Sequence, residues 1–179
     1  MKIVLLLTSM LLSQSLYAQE APKTSTFHRL LLLNEKNELM VVKIKNSNRW
    51  VTPGWYQDDR LTIAQGLDEL AAGYGVKIAT PTLRGVFTLK GSQVSTRLIY
   101  TTKIKSGELK NPELIEEIKW LPIQKAVETI TFPHISAQIT QLSKYPDVIW
   151  GGAQTMYQEN GVYGSKVVED FYPLSGVLK

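Results

Sequence analysis

Gly54-Trp55-Tyr56-Gln57-Asp58-Asp59-Arg60-Leu61-Thr62-Ile63-Ala64-Gln65-Gly66-Leu67-Asp68-Glu69-Leu70-Ala71-Ala72-Gly73-Tyr74-Gly75-Val76 is the stretch on which the fold turns. Within it Leu61, Ala64, Leu67, Leu70, Ala71 and Tyr74 recur every three or four residues, which places one apolar stripe on a helix. Asp58 and Asp59 are helix-starting residue types that also suit the positive end of a helix, and Gly73 and Gly75 supply its stop. Gly66 and Gly73 inside the stripe each cost ~1 kcal/mol of helix propensity relative to Ala.

Upstream, the apolar run Phe27 to Leu33 reads as a buried strand, Asn34 to Asn37 as a turn, and Leu39 to Ile44 as the second strand of a hairpin. Trp50 to Gly54 is a brief extended piece that runs into a Pro-Gly break. Downstream, Pro81 to Leu89 and Val94 to Ile104 are strands joined by the turn Lys90 to Gln93, and Glu117 to Leu121 is a last core strand. Pro122 to Glu128 and Ser136 to Leu142 are candidate helices. This order of hairpin, helix, strands and helices demands an α/β fold with a mixed sheet covered by helices. The chain contains no internal repeat and no low-complexity stretch.

The two ends differ from this middle. Lys2, an apolar stretch broken by Thr8, Ser9 and Ser13, and the small residue Ala18 form the pattern of a secretory signal over residues 1–18. Those polar interruptions argue against a membrane anchor, which needs ~20 apolar residues. The mature chain is therefore expected to be periplasmic or secreted, with no stable anchor once the signal is removed. At the other end, residues 144–179 carry Tyr145, Trp150, Tyr157, Tyr163, Phe171 and Tyr172, a dense share of the aromatics, punctuated by glycines. That composition predicts packed turns and short strands lying on the main domain, residues 19–143, or on a partner, a homodimer seam included.

Composition excludes several functions. The 179 residues are 44% hydrophobic, which suits a globular domain with an extension. The formal charge of +4 is too small and dispersed to call for nucleic acid, and none is expected as a partner. The lack of Cys removes disulfides, thiolate metal sites and cysteine nucleophiles together.

The spacing of the opening stretch resembles the Nudix box: Gly, five residues, Glu, seven residues, Arg-Glu, an aliphatic, any residue, Glu-Glu, any residue, Gly, an aliphatic. Gly54, Glu69, Leu70, Gly75 and Val76 match in register. The preceding hairpin, the Trp50 to Gly54 approach, and Glu116 to Pro122 resemble the family's usual context, so the resemblance spans about residues 27–142. It implies a Nudix-like α/β/α sandwich with a mixed sheet.

The departures bear on function. Arg60 stands where the family has its first Glu, Asp68 where it has Arg, and Ala72 and Gly73 where it has the Glu-Glu pair. In the family those glutamates hold divalent cations that polarise a nucleoside diphosphate linkage. Mg²⁺ needs hard oxygen ligands, and the pyrophosphate charge must be neutralised before a nucleophile approaches. Ala72 and Gly73 offer no such ligands, and Glu69 alone of the cage survives.

Glu69 is thus the one candidate catalytic residue. In isolation it reads better as a hydrogen-bonding residue tying the helix to the loop. No metal or cofactor is expected, unless Asp58, Asp59, Asp68, Glu116 or Glu117 rebuilds an Mg²⁺ or Mn²⁺ site. Trp55 and Tyr56 lie on the loop that borders the family's substrate cleft, where an aromatic ring can stack on a flat ligand, and Arg60 completes the candidate ligand-binding set. His28 and His134, with no Cys and no carboxylate at ligand spacing, make a poor zinc signal.

The preferred reading is an exported Nudix-fold protein with a degenerate box, a pseudoenzyme that binds a small-molecule ligand or a protein partner. The alternative is a divergent metal-dependent hydrolase of a nucleoside diphosphate-linked or other phosphate compound.

Overall fold

The computed structural model describes residues 23–175. The expected signal, residues 1–18, lies outside them. In chain order the elements are β1 (Thr24–Leu33), β2 (Leu39–Ile44), β3 (Trp50–Val51), β4 (Gly54–Tyr56), α1 (Ile63–Gly73), β5 (Val76–Ile78), β6 (Thr82–Lys90), β7 (Val94–Gly107), β8 (Ile115–Leu121), α2 (Ile123–Thr129), α3 (Pro133–Lys144), β9 (Ile149–Glu159) and β10 (Val162–Ser175).

The sheet is mixed, with the path β10-β9-β6-β7-β1-β2-β3, and β4, β5 and β8 pair off that path with β1, β7 and β2. β1 runs parallel to β7 and β6 parallel to β9, while the remaining pairs are antiparallel. Period-two alternation along β1 divides its side chains between two layers. Leu30 and Leu32 join clusters with Leu67, Leu70 and Ala71 of α1, whereas Leu31 joins Ile135, Ile139 and Leu142 of α3. Helices thus cover both faces of the sheet, as the order of elements requires.

The helix α1 begins two residues later than the apolar stripe suggests. Thr62, rather than Asp58 or Asp59, caps it, accepting from the Gln65 backbone N–H while the Gln65 side chain returns a bond to Thr62 N. That reciprocal pairing satisfies two amide groups that the first turn would leave open. Asp58 instead accepts from Arg60 in the preceding loop.

Gly66 faces Trp55 so closely that a Cβ there would collide with the indole ring. Gly54 is pressed against the His28 carbonyl and the Phe27 ring in the same manner. Both glycines mark close approaches rather than turns.

Residues 149–175 form longer strands than their composition suggests. β9 extends the sheet by pairing with β6 from Trp150 to Thr155, and Trp150 and Val148 enter the core over α3. β10 pairs with β9 along its length but slips register at three places. Those irregularities and Pro173 blunt what is otherwise an edge exposing Val162, Val167, Val168 and Leu174.

Candidate functional site

β1 and β2 meet in register only at Leu33 and Leu39 and then diverge. The segment Thr52-Pro53-Gly54 fills part of the wedge between them, held by the Leu30 N–H donating to the Pro53 carbonyl at 2.9 Å. Beside this segment lies a cavity of about 490 Å³, lined from β1, β2, β4, β7 and the start of α3. Its size falls within the range of small-molecule sites.

The lining is mostly apolar, yet Arg29, Arg97, Arg49 and His134 all reach it. Arg29 is 4% exposed. Its guanidinium donates to Thr52 Oγ1 at 2.7 Å, but its Nε has no partner. Burial first, and then repulsion from Arg97, draw Arg29 down to about 9, so it remains a cation at neutral pH.

Arg97, the Cα partner of Phe27 in the parallel ladder, donates to Tyr56 Oη at 3.2 Å and likewise leaves its Nε unpartnered. Both guanidinium carbons lie close to the Phe27 ring, at 5.2 Å for Arg29 and 4.8 Å for Arg97. Among the described residues no carboxylate forms an ion pair with either arginine. For Arg29, a ring quadrupole, a hydroxyl and a long contact to the Thr52 carbonyl are weak compensation for a positive charge removed from water, while Arg97 is only partly buried.

His134 sits at the first turn of α3 and is buried, with Nδ1 unpartnered. Burial, followed by repulsion from Arg29 and Arg97, pushes its pKa down to about 3. The site is therefore a pocket of positive potential in which three buried nitrogens await an acceptor or a proton. Buried polar atoms are ordinarily paired, so such a cluster marks a candidate position for an acceptor from outside the chain.

A smaller cavity of about 190 Å³ adjoins this one through Tyr56, Leu89, Arg97 and Met156. Its remaining lining is polar, including Ser25, Ser95, Gln93 and Lys90.

The structure brings one of the residues expected from sequence into the cavity. Tyr56 lines it, because Gly54 and Tyr56 of β4 face the same side. Trp55, one residue out of phase, points to the α1 side, where it stacks on His28 with ring centroids 4.4 Å apart and rests on Gly66. It is a packing residue there and not part of the cavity wall.

Arg60 also lies away from the cavity, exposed and paired with Asp58 at 2.7 Å. Glu69 is exposed on α1, and its carboxylate makes no hydrogen bond among the described residues, so it does not tie the helix to the loop. Among the described residues no group of three or more His, Cys, Asp or Glu side chains gathers where a metal ion could be held.

Sequence reading missed Arg29, Arg97 and His134. The signal available was Arg29 itself, a lone cation inside the buried run Phe27 to Leu33. His28, by contrast, bonds through Nε2 to Gln57 at 2.7 Å within the α1 layer, its Nδ1 is left without a partner under stacked aromatic rings rather than beside the cavity, and burial lowers its pKa.

Comparison with solved structures identifies the fold. A mutator MutT protein from Bacillus halodurans superposes with a TM-score of 0.62 at 14% identity, over 80% of this chain and 97% of that one. A MutT protein from Methanosarcina mazei Go1 gives 0.60 at 14% identity, over 72% and 99%. A Nudix hydrolase from Nitrosomonas europaea gives 0.58 at 13% identity, over 67% and 70%. The chain has the Nudix fold. No protein-family model matches the sequence, and no curated protein sequence matches it.

Proposed function

We propose that this Nudix-fold protein is exported and binds a small anionic ligand in the cavity between β1 and α3, without hydrolysing it. The observation that carries this reading is the pair Arg29 and Arg97, two cations with buried unpartnered Nε atoms beside one cavity and no carboxylate to neutralise them. Removing a charge from water without a partner is costly, and a ligand that accepts from both guanidiniums offsets that cost. The non-hydrolytic part rests on the box positions, where Ala72 and Gly73 replace the two acids that would join Glu69 in holding a divalent cation.

Two measurements on the mature chain test the two parts. Inorganic phosphate or sulfate is expected to raise the thermal midpoint of the wild type and to lose that effect in Arg97→Ala; no shift in either protein removes the anion-binding reading. For hydrolysis, the chain is incubated with Mg²⁺ or Mn²⁺ and a panel of dinucleotides, sugar nucleotides and nucleoside triphosphates, alongside Glu69→Gln. No turnover is expected. Metal-dependent turnover abolished by Glu69→Gln would replace this proposal with the divergent hydrolase.

A further inference from the structure

The cavity is polarised along the order of the strands. Its two inner cations, Arg29 and Arg97, come from β1 and β7, with the neutral His134 of α3 beside them, whereas the wall on the side of β2, β3 and β8 is built of Val42, Ile44, Val51 and Ile115, with Leu114 and the exposed Arg49 also reaching the cavity from that side. Leu114 is 74% exposed, an aliphatic side chain held at the mouth of the cavity. The lining contains no Asp, Glu, Asn, Gln or Ser. Thr52 Oγ1 already accepts from Arg29 and the Tyr56 hydroxyl already accepts from Arg97, so Tyr74, packed with Val42, Val51 and Ile115, adds the one further side-chain hydroxyl of the lining.

A nucleobase or sugar placed against that aliphatic wall would leave several donors and acceptors without partners. Each such loss weakens binding by about tenfold. Of these two adjoining cavities, only the smaller one beyond Arg97 is lined by serine and lysine side chains, and there Ser25, Ser95 and Lys90 suit the hydrated side of a charged head.

We infer that the ligand is an amphiphilic anion, with a phosphate, sulfate or carboxylate head held at Arg29 and Arg97 and a hydrocarbon tail against Val42, Ile44, Val51 and Ile115. This inference rests on the proposed anion site and adds the chemistry of the part of the ligand that the arginines do not touch. Hydrocarbon needs no hydrogen-bond partner, and a preformed apolar wall rewards each methylene removed from water by about fourfold in affinity. His134 contributes a third buried nitrogen on the head side, where a bound anion would favour its protonated form.

The test is calorimetric titration of the mature chain with inorganic phosphate, then butyl, hexyl and octyl phosphate below their micelle concentrations, with octanoate, octanol and uridine monophosphate as further arms. Affinity is expected to rise about fourfold per methylene until the cavity is filled. Uridine monophosphate is expected to bind no tighter than inorganic phosphate, and octanol at least tenfold weaker than octyl phosphate.

Comparison of octyl phosphate with octanoate identifies the head, and tight binding of either supports the inference. Leu114→Ser changes an exposed residue and should weaken octyl phosphate severalfold while leaving inorganic phosphate unchanged. A chain-length series that is flat, or a nucleotide that binds tighter than octyl phosphate, overturns the amphiphile while leaving an Arg97-dependent phosphate site intact. Octanol binding as tightly as octyl phosphate, with Arg97→Ala silent, overturns both.

Discussion

The two faces of β1 are built to different standards. On the α1 side, His28 stacks between Trp55 and Tyr100 and bonds to Gln57, and Leu30 and Leu32 are almost fully enclosed. On the α3 side, one residue out of phase, Arg29 carries a buried charge addressed by the Thr52 hydroxyl, its carbonyl at 3.5 Å and an aromatic ring. The first face leaves one neutral ring nitrogen, His28 Nδ1, unpartnered inside close packing, whereas the second keeps a guanidinium unmatched beside an open volume. A chain selected for stability alone would place an aliphatic side chain at position 29, since replacing buried ionic groups by apolar ones is often stabilising. Unmatched charge next to a cavity is the feature on which the proposed anion site rests.

The sharpest contrast should come from pH. His134 titrates at about 3 in the folded chain against an ordinary 6.5. Below pH 6.5 the unfolded chain takes up a proton that the native chain refuses until about pH 3. Stability therefore falls as pH drops through that window, by about 5 kcal/mol in full. Urea denaturation at a series of pH values should show this slope, and His134→Leu should flatten it. Parallel profiles for the two proteins would mean that the α3 face carries no such strain.

Next in size is Arg29→Met, which removes the charge while keeping most of the volume. It is expected to raise the stability of the ligand-free protein by about 2 kcal/mol and to abolish stabilisation by phosphate. A loss of stability in the ligand-free variant would mean that the cation is structurally compensated.

The faces also differ in how far they could be read from sequence. The α1 face follows from local rules: apolar spacing of three and four, a Thr-x-x-Gln cap, and glycines that end the helix. The Nudix fold was legible for the same reason, because the box spacing fixes a loop, a helix and the strands around it. The site was not legible, because it depends on contacts between distant residues.

Arg29, Arg97 and His134 belong to β1, β7 and α3, and only the parallel pairing of β1 with β7 and the docking of α3 bring them together. The phase of β4 was equally hidden. Neighbouring aromatics Trp55 and Tyr56 look equivalent on a loop, but pairing with β1 makes them a strand and sends them to opposite faces. The strand length of residues 149–175 depends in turn on β6 offering a parallel edge, which no local pattern announces.

The smaller predictions compare two glycines of α1 and test whether that face is as tightly fitted as it looks. Both gain about 1 kcal/mol of helix propensity on substitution by Ala. At Gly66 the new methyl would strike Trp55, whose ring is held from behind by His28 and cannot yield without losing that stack. Overpacking should outweigh propensity there, so Gly66→Ala is expected to lower stability by a net ~1–2 kcal/mol.

At Gly73 a Cβ meets nothing within 4 Å and the residue is already helical. Gly73→Ala should therefore raise stability by ~1 kcal/mol or slightly less. The two midpoints measured in urea, moving in opposite directions, would locate the constraint in Trp55 rather than in the helix. Equal gains at both positions would show that Trp55 is free to move, and with it the distinction between a filled face and an open one would narrow.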